Sequence, residues 1–363
     1  MTLQTPLSAK LGLAVPIIQA PMAGGASSQE LVAACSAAGV LGSFGFAYTQ
    51  PEDMKKQSAF VRSKTDRPFG INLFTSSQPD QIDARAQRGA LDAVADYYKE
   101  LGLPPPEPVN APYAPDLNAQ LDAVEAIVPR VFTAHLSDLP VERIGRLKAK
   151  NILVGGSATC IAEARRLEQL GFDFVIAQGG EAGGHRGSYL RDPYQSLTGT
   201  LALTRLVLRA VRLPVVAAGG IMDGAGIAAA LALGAQAAQL GTAFIPCPES
   251  GAAQVHKDLL LESKEDGTLL TEKFSGKPAR GLANRFIAEM AAKHAPQLAF
   301  PAQNGVTGRL RQASARAGKP DFIALWAGQA APLARALPAA ELIRLLNEEA
   351  IAAIRGAATL LKD

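Results

Sequence analysis

The chain has 363 residues, 48% hydrophobic and 19% charged, which is enough to bury a sizeable core and more than one average domain requires. Its 36 basic and 33 acidic residues leave a formal charge of +3 without a dense Lys/Arg run, so nucleic acid is excluded as an expected partner. Three widely spaced cysteines (Cys35, Cys160 and Cys247) give neither a disulfide framework nor zinc spacing, and no stretch reads as a signal peptide or membrane span; the expectation is a cytoplasmic protein with reduced thiols and no metal.

Short apolar runs ending in Gly, Ala, Ser or Asn recur at residues 16–22, 40–46, 68–74, 130–135, 151–155, 172–178, 214–218 and 237–245. Segments with helical spacing lie between them, among them 28–38 behind a serine cap, 139–150, 158–170, 200–211 and 224–233. Strands alternating with helices predict a parallel sheet, and eight of them favour a (β/α)8 TIM barrel over an open sheet, whose glycine fingerprint would fall in the first turn. Residues 75–127, with a polar helix and the run Pro104-Pro105-Pro106-Glu107-Pro108, exceed what a minimal barrel needs. So do residues 249–330, which hold extended pieces near 268–274, a helix at 283–293 and the cluster 322–326. The expected division is a barrel of 1–248 and 331–363, ending in a helix at 339–361, with 249–330 as a C-terminal extension forming a substrate-side lid.

In such a barrel the active site lies at the C-terminal strand ends. After the sixth run the chain reads Gln178-Gly179-Gly180-Glu181-Ala182-Gly183-Gly184-His185-Arg186-Gly187, a loop whose backbone can approach a ligand and whose single imidazole titrates near neutrality. His185 is the expected acid/base there, and Glu181 reads as a loop-ordering acceptor. Gly219-Gly220 after the seventh strand and Gly241-Thr242 within the eighth form a proposed phosphate cup. Asn72 and Gln178, polar at strand ends, suit the edge of a flavin, and Met22 and Ala23 close the first strand in an apolar turn suited to an aromatic ring. His135 ends strand four and is a candidate substrate contact. His256 and His294 fall in the extension, where solvated or cap-satisfying roles are expected; Trp326 reads as a pocket wall or, more simply, an anchor.

Taken together, Pro16-Ile17-Ile18-Gln19-Ala20-Pro21-Met22-Ala23-Gly24-Gly25, Gly70-Ile71-Asn72, the His185 loop, Ala217-Ala218-Gly219-Gly220-Ile221 and Gln239-Leu240-Gly241-Thr242-Ala243-Phe244 resemble the nitronate monooxygenase family, formerly 2-nitropropane dioxygenases. Pro248-Glu249-Ser250-Gly251 and Leu325-Trp326-Ala327-Gly328-Gln329 resemble its class I branch. The resemblance implies noncovalent FMN contacted by Met22, Ala23, Asn72, Gln178, Gly183, Gly219, Gly220, Gln239, Leu240, Gly241 and Thr242, with His185 beside the substrate. It implies a detoxifying oxidoreductase that oxidises alkyl nitronates, propionate 3-nitronate among them, with O2 to a carbonyl compound and nitrite. The partners would be nitronate and O2, without nucleic acid or membrane, in a monomer or homodimer. The alternative on the same barrel is a flavin-dependent NAD(P)H:quinone or enoyl-thioester reductase. One departure stands out: class I pockets often carry tyrosines in the extension, whereas residues 298–304 contain Phe300 and the last tyrosine is Tyr194. Arg309, Arg311 and Lys319 are alternative anion contacts, with solvated roles expected.

Overall fold

The computed structural model describes residues 2–79 and 81–361. Its strands, in chain order, are β1 (Ile17–Gln19), β2 (Gly42–Gly45), β3 (Phe69–Phe74), β4 (Val131–His135), β5 (Leu153–Ala158), β6 (Phe174–Gln178), β7 (Gly184–His185), β8 (Val215–Ala218), β9 (Ala237–Leu240), β10 (Thr268–Thr271) and β11 (Ala279–Leu282). A parallel sheet runs in the order β1-β9-β8-β6-β5-β4-β3-β2. It closes on itself where Gln19 N donates to Leu41 O at 2.9 Å and Leu41 N to Ile17 O at 3.1 Å. With helices between its strands, this is a (β/α)8 TIM barrel.

The alternation of side chains along each strand sorts the core into two shells. Val131, Leu153, Phe174, Ile176, Val216 and Ala237 point inward, where Leu7 and Leu11 of the short helix Pro6–Leu11 join them and plug the N-terminal mouth. Their neighbours Phe132, Val154, Val175 and Ala177 point outward against the surrounding helices. Those helices turn apolar residues toward that layer. In Gln29–Ala37, for example, Leu31, Val32 and Cys35 are fully buried, while the Ser28 hydroxyl caps the first turn by accepting from Leu31 N.

Three predicted strand ends move. The first strand stops at Gln19, so Met22 and Ala23 lie in the loop beyond it rather than closing the strand. The fifth continues through Gly155 and Gly156 to Ala158, because the Phe174 ring fills the space over Gly155; a Cβ there would stand 2.2 Å from Phe174 Cζ. These glycines sit inside the strand rather than ending it. The eighth stops at Leu240, and the chain turns through Gly241 into a short 3-10 helix, Thr242–Phe244. Gly241 and Thr242 therefore lie beyond the strand. Sequence spacing also left unassigned the helices Pro51–Lys64, Leu117–Ile127 and Ala302–Arg316.

Residues 249–330 carry the helices Gln254–Leu261, Arg285–Ala292 and Ala302–Arg316 and the antiparallel pair β10–β11. Phe274, Phe286, Met290, Leu310 and Phe322 from this segment share one apolar cluster with Leu91, Val94, Tyr97 and Tyr98 of the helix Ala84–Glu100. Tyr98 Oη donates to Val306 O at 2.8 Å, and Arg285 grips Glu100 through two bonds of 2.7 and 2.9 Å. The insertion after β3 thus packs into the same body as the extension. β11 also pairs with β7, Ala279 opposite His185, so the loop that carries this histidine is a strand of the extension's sheet. No helix among the described residues is long and apolar enough to cross a membrane.

Candidate active site

Inward positions at the C-terminal ends of β3, β4, β5, β6, β8 and β9 open onto a cavity of about 590 Å³, within the range of cofactor sites. Strand alternation brings Asn72, His135, Ser157, Gln178, Ala218 and Gln239 to its wall, and the loops beyond add Met22, Ala23, Gly183, His185, Gly219, Gly220, Gly241 and Thr242. Leu240 is the exception among the expected contacts. Its parity along β9 turns it outward, 1% exposed, into the cluster that holds Ile17 and Phe244.

One end of the cavity is rich in backbone donors. Gly219 and Gly220 have φ of 121° and 68°, which turn the chain into a conformation other residues resist. Gly183 has another constraint, since a Cβ would stand 2.6 Å from Ala327 C and Gly328 N. The amides of Gly183, Gly220 and Gly241 donate to no acceptor among the described residues. Thr242 Oγ1 accepts from Gly328 N at 3.0 Å and keeps its own proton to donate.

The middle of the cavity is polar. Asn72 Nδ2 donates to Thr133 O and to Thr133 Oγ1, both at 2.9 Å. A carbonyl can only accept, so the amide orientation is settled and Oδ1 accepts from no donor among the described residues. Gln178 Nε2 donates to His185 O at 3.0 Å, and its Oε1 accepts from Gly187 N at 2.7 Å. Gln178 thereby braces the loop and retains one N–H. Arg186 is wholly buried beneath and donates to Gly179 O, Gln178 O and Ser196 O at 2.6, 3.1 and 2.8 Å. Burial lowers its pKa to about 10, so it stays charged at neutral pH. Glu181 accepts from Thr200 N and Thr200 Oγ1, anchoring the loop to the next helix.

Two imidazoles meet at the mouth. His135 Nδ1 lies 2.8 Å from Ser157 Oγ, and its Nε2 lies 3.2 Å from His185 O. The carbonyl fixes Nε2 as the donor, so Nδ1 accepts from Ser157 and both ring nitrogens are engaged by protein. His185 Nε2 lies 2.9 Å from Ser275 Oγ, and its ring is flanked by Phe74, Phe300 and Trp326 with centroids 5.4, 5.6 and 5.5 Å away. Burial, reinforced by His135, Lys277 and Arg311, depresses the His185 pKa to about 3. Burial likewise lowers His135 to about 4. Both rings are neutral at physiological pH.

The extension supplies what residue spacing placed elsewhere. His256 is buried in the cavity wall, its Nε2 without a partner among the described residues and its pKa lowered by burial to about 4, because the inner face of the helix Gln254–Leu261 packs over the mouth. His294, by contrast, is exposed. Arg311 also lines the cavity. Its Nε donates to Thr307 Oγ1 and its Nη2 to Asn304 O and Oδ1, while Nη1 bonds to no described residue. No carboxylate pairs with it among the described residues, and the lining contains no Asp or Glu. With no acidic side chain in the lining to offset it, the Arg311 guanidinium makes this part of the cavity electropositive. Arg309 instead reaches Glu107 at the exposed surface, 3.4 Å away. Tyr48, whose buried hydroxyl has no partner among the described residues, lines the cavity from the loop after β2. Its place two residues past Phe46 at the end of the second apolar run was the available signal. Trp326 both walls the cavity and anchors the extension, its ring 5.9 Å from Phe274.

The sequence model of the family described as nitronate monooxygenase matches residues 5–349. Proteins named nitronate monooxygenase from Paraburkholderia phytofirmans and Pseudomonas aeruginosa are each 43% identical over 342 residues, covering 93% of this chain and 93% and 97% of theirs. Among solved structures, nitroalkane oxidase from Streptomyces ansochromogenes is 40% identical with a TM-score of 0.89 over 98% of this chain and all of the other. FabK from Thermotoga maritima is 28% identical with a TM-score of 0.78, covering 99% of this chain and 100% of its own.

Proposed function

Because the chain belongs to the nitronate monooxygenase family, we propose that it is an FMN-dependent enzyme that oxidises alkyl nitronates, propionate 3-nitronate among them, with O2 to a carbonyl compound and nitrite. The observation that carries the reading is a cavity with unspent backbone donors at one end and a guanidinium, Arg311, that no carboxylate among the described residues pairs with. FMN fits these residues: the amides of Gly183, Gly220 and Gly241 with the Thr242 hydroxyl suit a phosphate, and Asn72 Oδ1, Gln178 and the Gln239 amide suit a flavin edge. Met22 and Ala23 offer apolar surface to the ring. Bound there, FMN supplies the electron-transfer chemistry.

The chain's own residues bind, orient and manage protons. Arg311 Nη1 takes the substrate carboxylate, a charge-assisted bond that strengthens where water is excluded. His185, neutral and hemmed by aromatic rings, handles the proton. With a neutral nitroalkane its lone pair accepts the α-carbon proton: the C–H bond breaks, an N–H bond forms and the electron pair delocalises into the nitro group. A nitronate that arrives ionised needs no such proton transfer. Residues 249–330 act as the substrate-side lid, with Phe300 and Trp326 keeping water from the imidazole. Anaerobic mixing tests the reading: nitronate should bleach the flavin absorbance of the purified protein and NADH should not. Rapid bleaching by NADH with no response to nitronate would replace it with the reductase alternative.

A further inference from the structure

The side chain that faces His185 from the extension has a hydrogen-bonding pattern with only one complete solution. Ser275 is 1% exposed, in the turn between β10 and β11. Its Oγ lies 2.9 Å from His185 Nε2, 3.1 Å from Lys277 O and 3.4 Å from Lys277 N. A hydroxyl carries one proton and two lone pairs. The Lys277 carbonyl can only accept and the Lys277 amide can only donate. If the Ser275 proton goes to the carbonyl, the lone pairs serve the amide and the imidazole, and every group is satisfied. If the proton goes to the imidazole, Lys277 O loses the only donor that reaches it among the described residues.

We propose that Ser275 is a positioning residue that holds His185 as its Nε2–H tautomer and thereby presents Nδ1, as a lone pair, to the cavity. Nδ1 makes no hydrogen bond among the described residues, as an acceptor reserved for substrate requires. Turning the ring over would bring carbon to Ser275 and forfeit the bond, while Phe74, Phe300 and Trp326 restrict the motion. The pairing of Ala279 with His185 fixes the register that brings the serine to the ring. The tautomer of a barrel-loop histidine is thus set by the extension. Since burial keeps the ring neutral, tautomer choice rather than charge decides which nitrogen works.

The inference rests on the proposed function only in its kinetic arm. In the purified protein labelled with 15N-histidine, the His185 signals, identified by their loss in His185→Asn, should show a protonated Nε2 and an unprotonated Nδ1. Ser275→Ala should shift them to a mixture of tautomers, and Ser275→Thr should restore the wild-type pattern. A proton resident on Nδ1 in the wild-type protein overturns the assignment, whatever the substrate. In turnover of a nitroalkane, Ser275→Ala should lower kcat about tenfold with KM changed less than about twofold, and Ser275→Thr should recover most of it. An unchanged kcat removes the positioning role. Should Ser275→Ala fail to fold, the wild-type and Ser275→Thr spectra decide alone. A protein inert to nitro compounds would remove the function while leaving the spectra to judge the tautomer.

Discussion

His135 Nε2 lies 3.2 Å from the backbone oxygen of His185, so the imidazole that ends β4 supports the loop that carries the second imidazole. Gln178 donates to the same oxygen at 3.0 Å, and the carbonyl is pinned from two strands. The consequence is a His185 ring whose backbone is held by the barrel and whose Nε2 is held by the extension. A proton-transfer group fixed at both ends loses little freedom when substrate arrives.

Replacing His185 by Asn should therefore strike chemistry and spare the cofactor. Turnover should fall by about 10²–10⁴-fold, the usual worth of a positioned acid/base group, with flavin content unchanged. Oxygen consumption and the visible spectrum of one preparation check both halves. Loss of flavin along with activity would place the side chain at the cofactor instead.

Arg311 should read substrate charge. Arg311→Met should raise KM for propionate 3-nitronate by about a hundredfold, as expected when a charged hydrogen bond of about 2–3 kcal/mol is removed, and should change KM for an alkyl nitronate without a carboxylate only a few-fold. Equal losses on both would mean that the guanidinium meets the nitronate group, not a second anion.

Thr242→Val keeps the shape of the side chain and removes the hydroxyl that accepts from Gly328 N. FMN should dissociate about tenfold more readily, the scale of one lost hydrogen bond of about 1–1.5 kcal/mol. Titrating the apoprotein with FMN by flavin fluorescence measures it, and an unaltered Kd would remove Thr242 from the phosphate site.

Acid should unfold the protein earlier than its carboxylates alone require. His135, His185 and His256 have folded pKa values lowered by burial to about 4, 3 and 4, against 6.5 for a free imidazole. Between these values the unfolded chain binds more protons than the folded one. The stability is present above pH 6.5 and is lost as pH falls toward 4, by about 1.4 kcal/mol per pH unit for each histidine. Urea midpoints at pH 7.5 and 5 should show the drop, and His256→Gln should make it shallower. A midpoint independent of pH over that interval would mean that these rings are hydrated in the folded protein.

Much of the barrel was legible because its strands are buried on both faces and punctuated at both ends, a pattern composed of local signals. Where local signals mislead, tertiary contacts are responsible. Gly155 looks like a terminator until Phe174 is seen to occupy the space of its side chain, and this hid Ser157, the hydroxyl that fixes the His135 ring. Leu240 looks like part of the glycine–threonine motif beside it, yet one step of strand parity sends it to the far side of the sheet.

By itself the sequence determined the eight-strand alternation, the glycine-rich turns at the seventh and eighth runs, and the loop bearing His185. All are properties of residues near one another in the chain, where backbone freedom and apolar periodicity act. Only the tertiary structure decided that Ser275 meets His185 across 90 residues, that Arg311 enters the cavity with no carboxylate among the described residues to neutralise it, and that His256 is buried rather than solvated. Those facts depend on which face of a helix or turn packs over the barrel mouth. That choice is made by the apolar body which Phe274, Phe286 and Phe322 build with the distant helix Ala84–Glu100, and no local pattern encodes it.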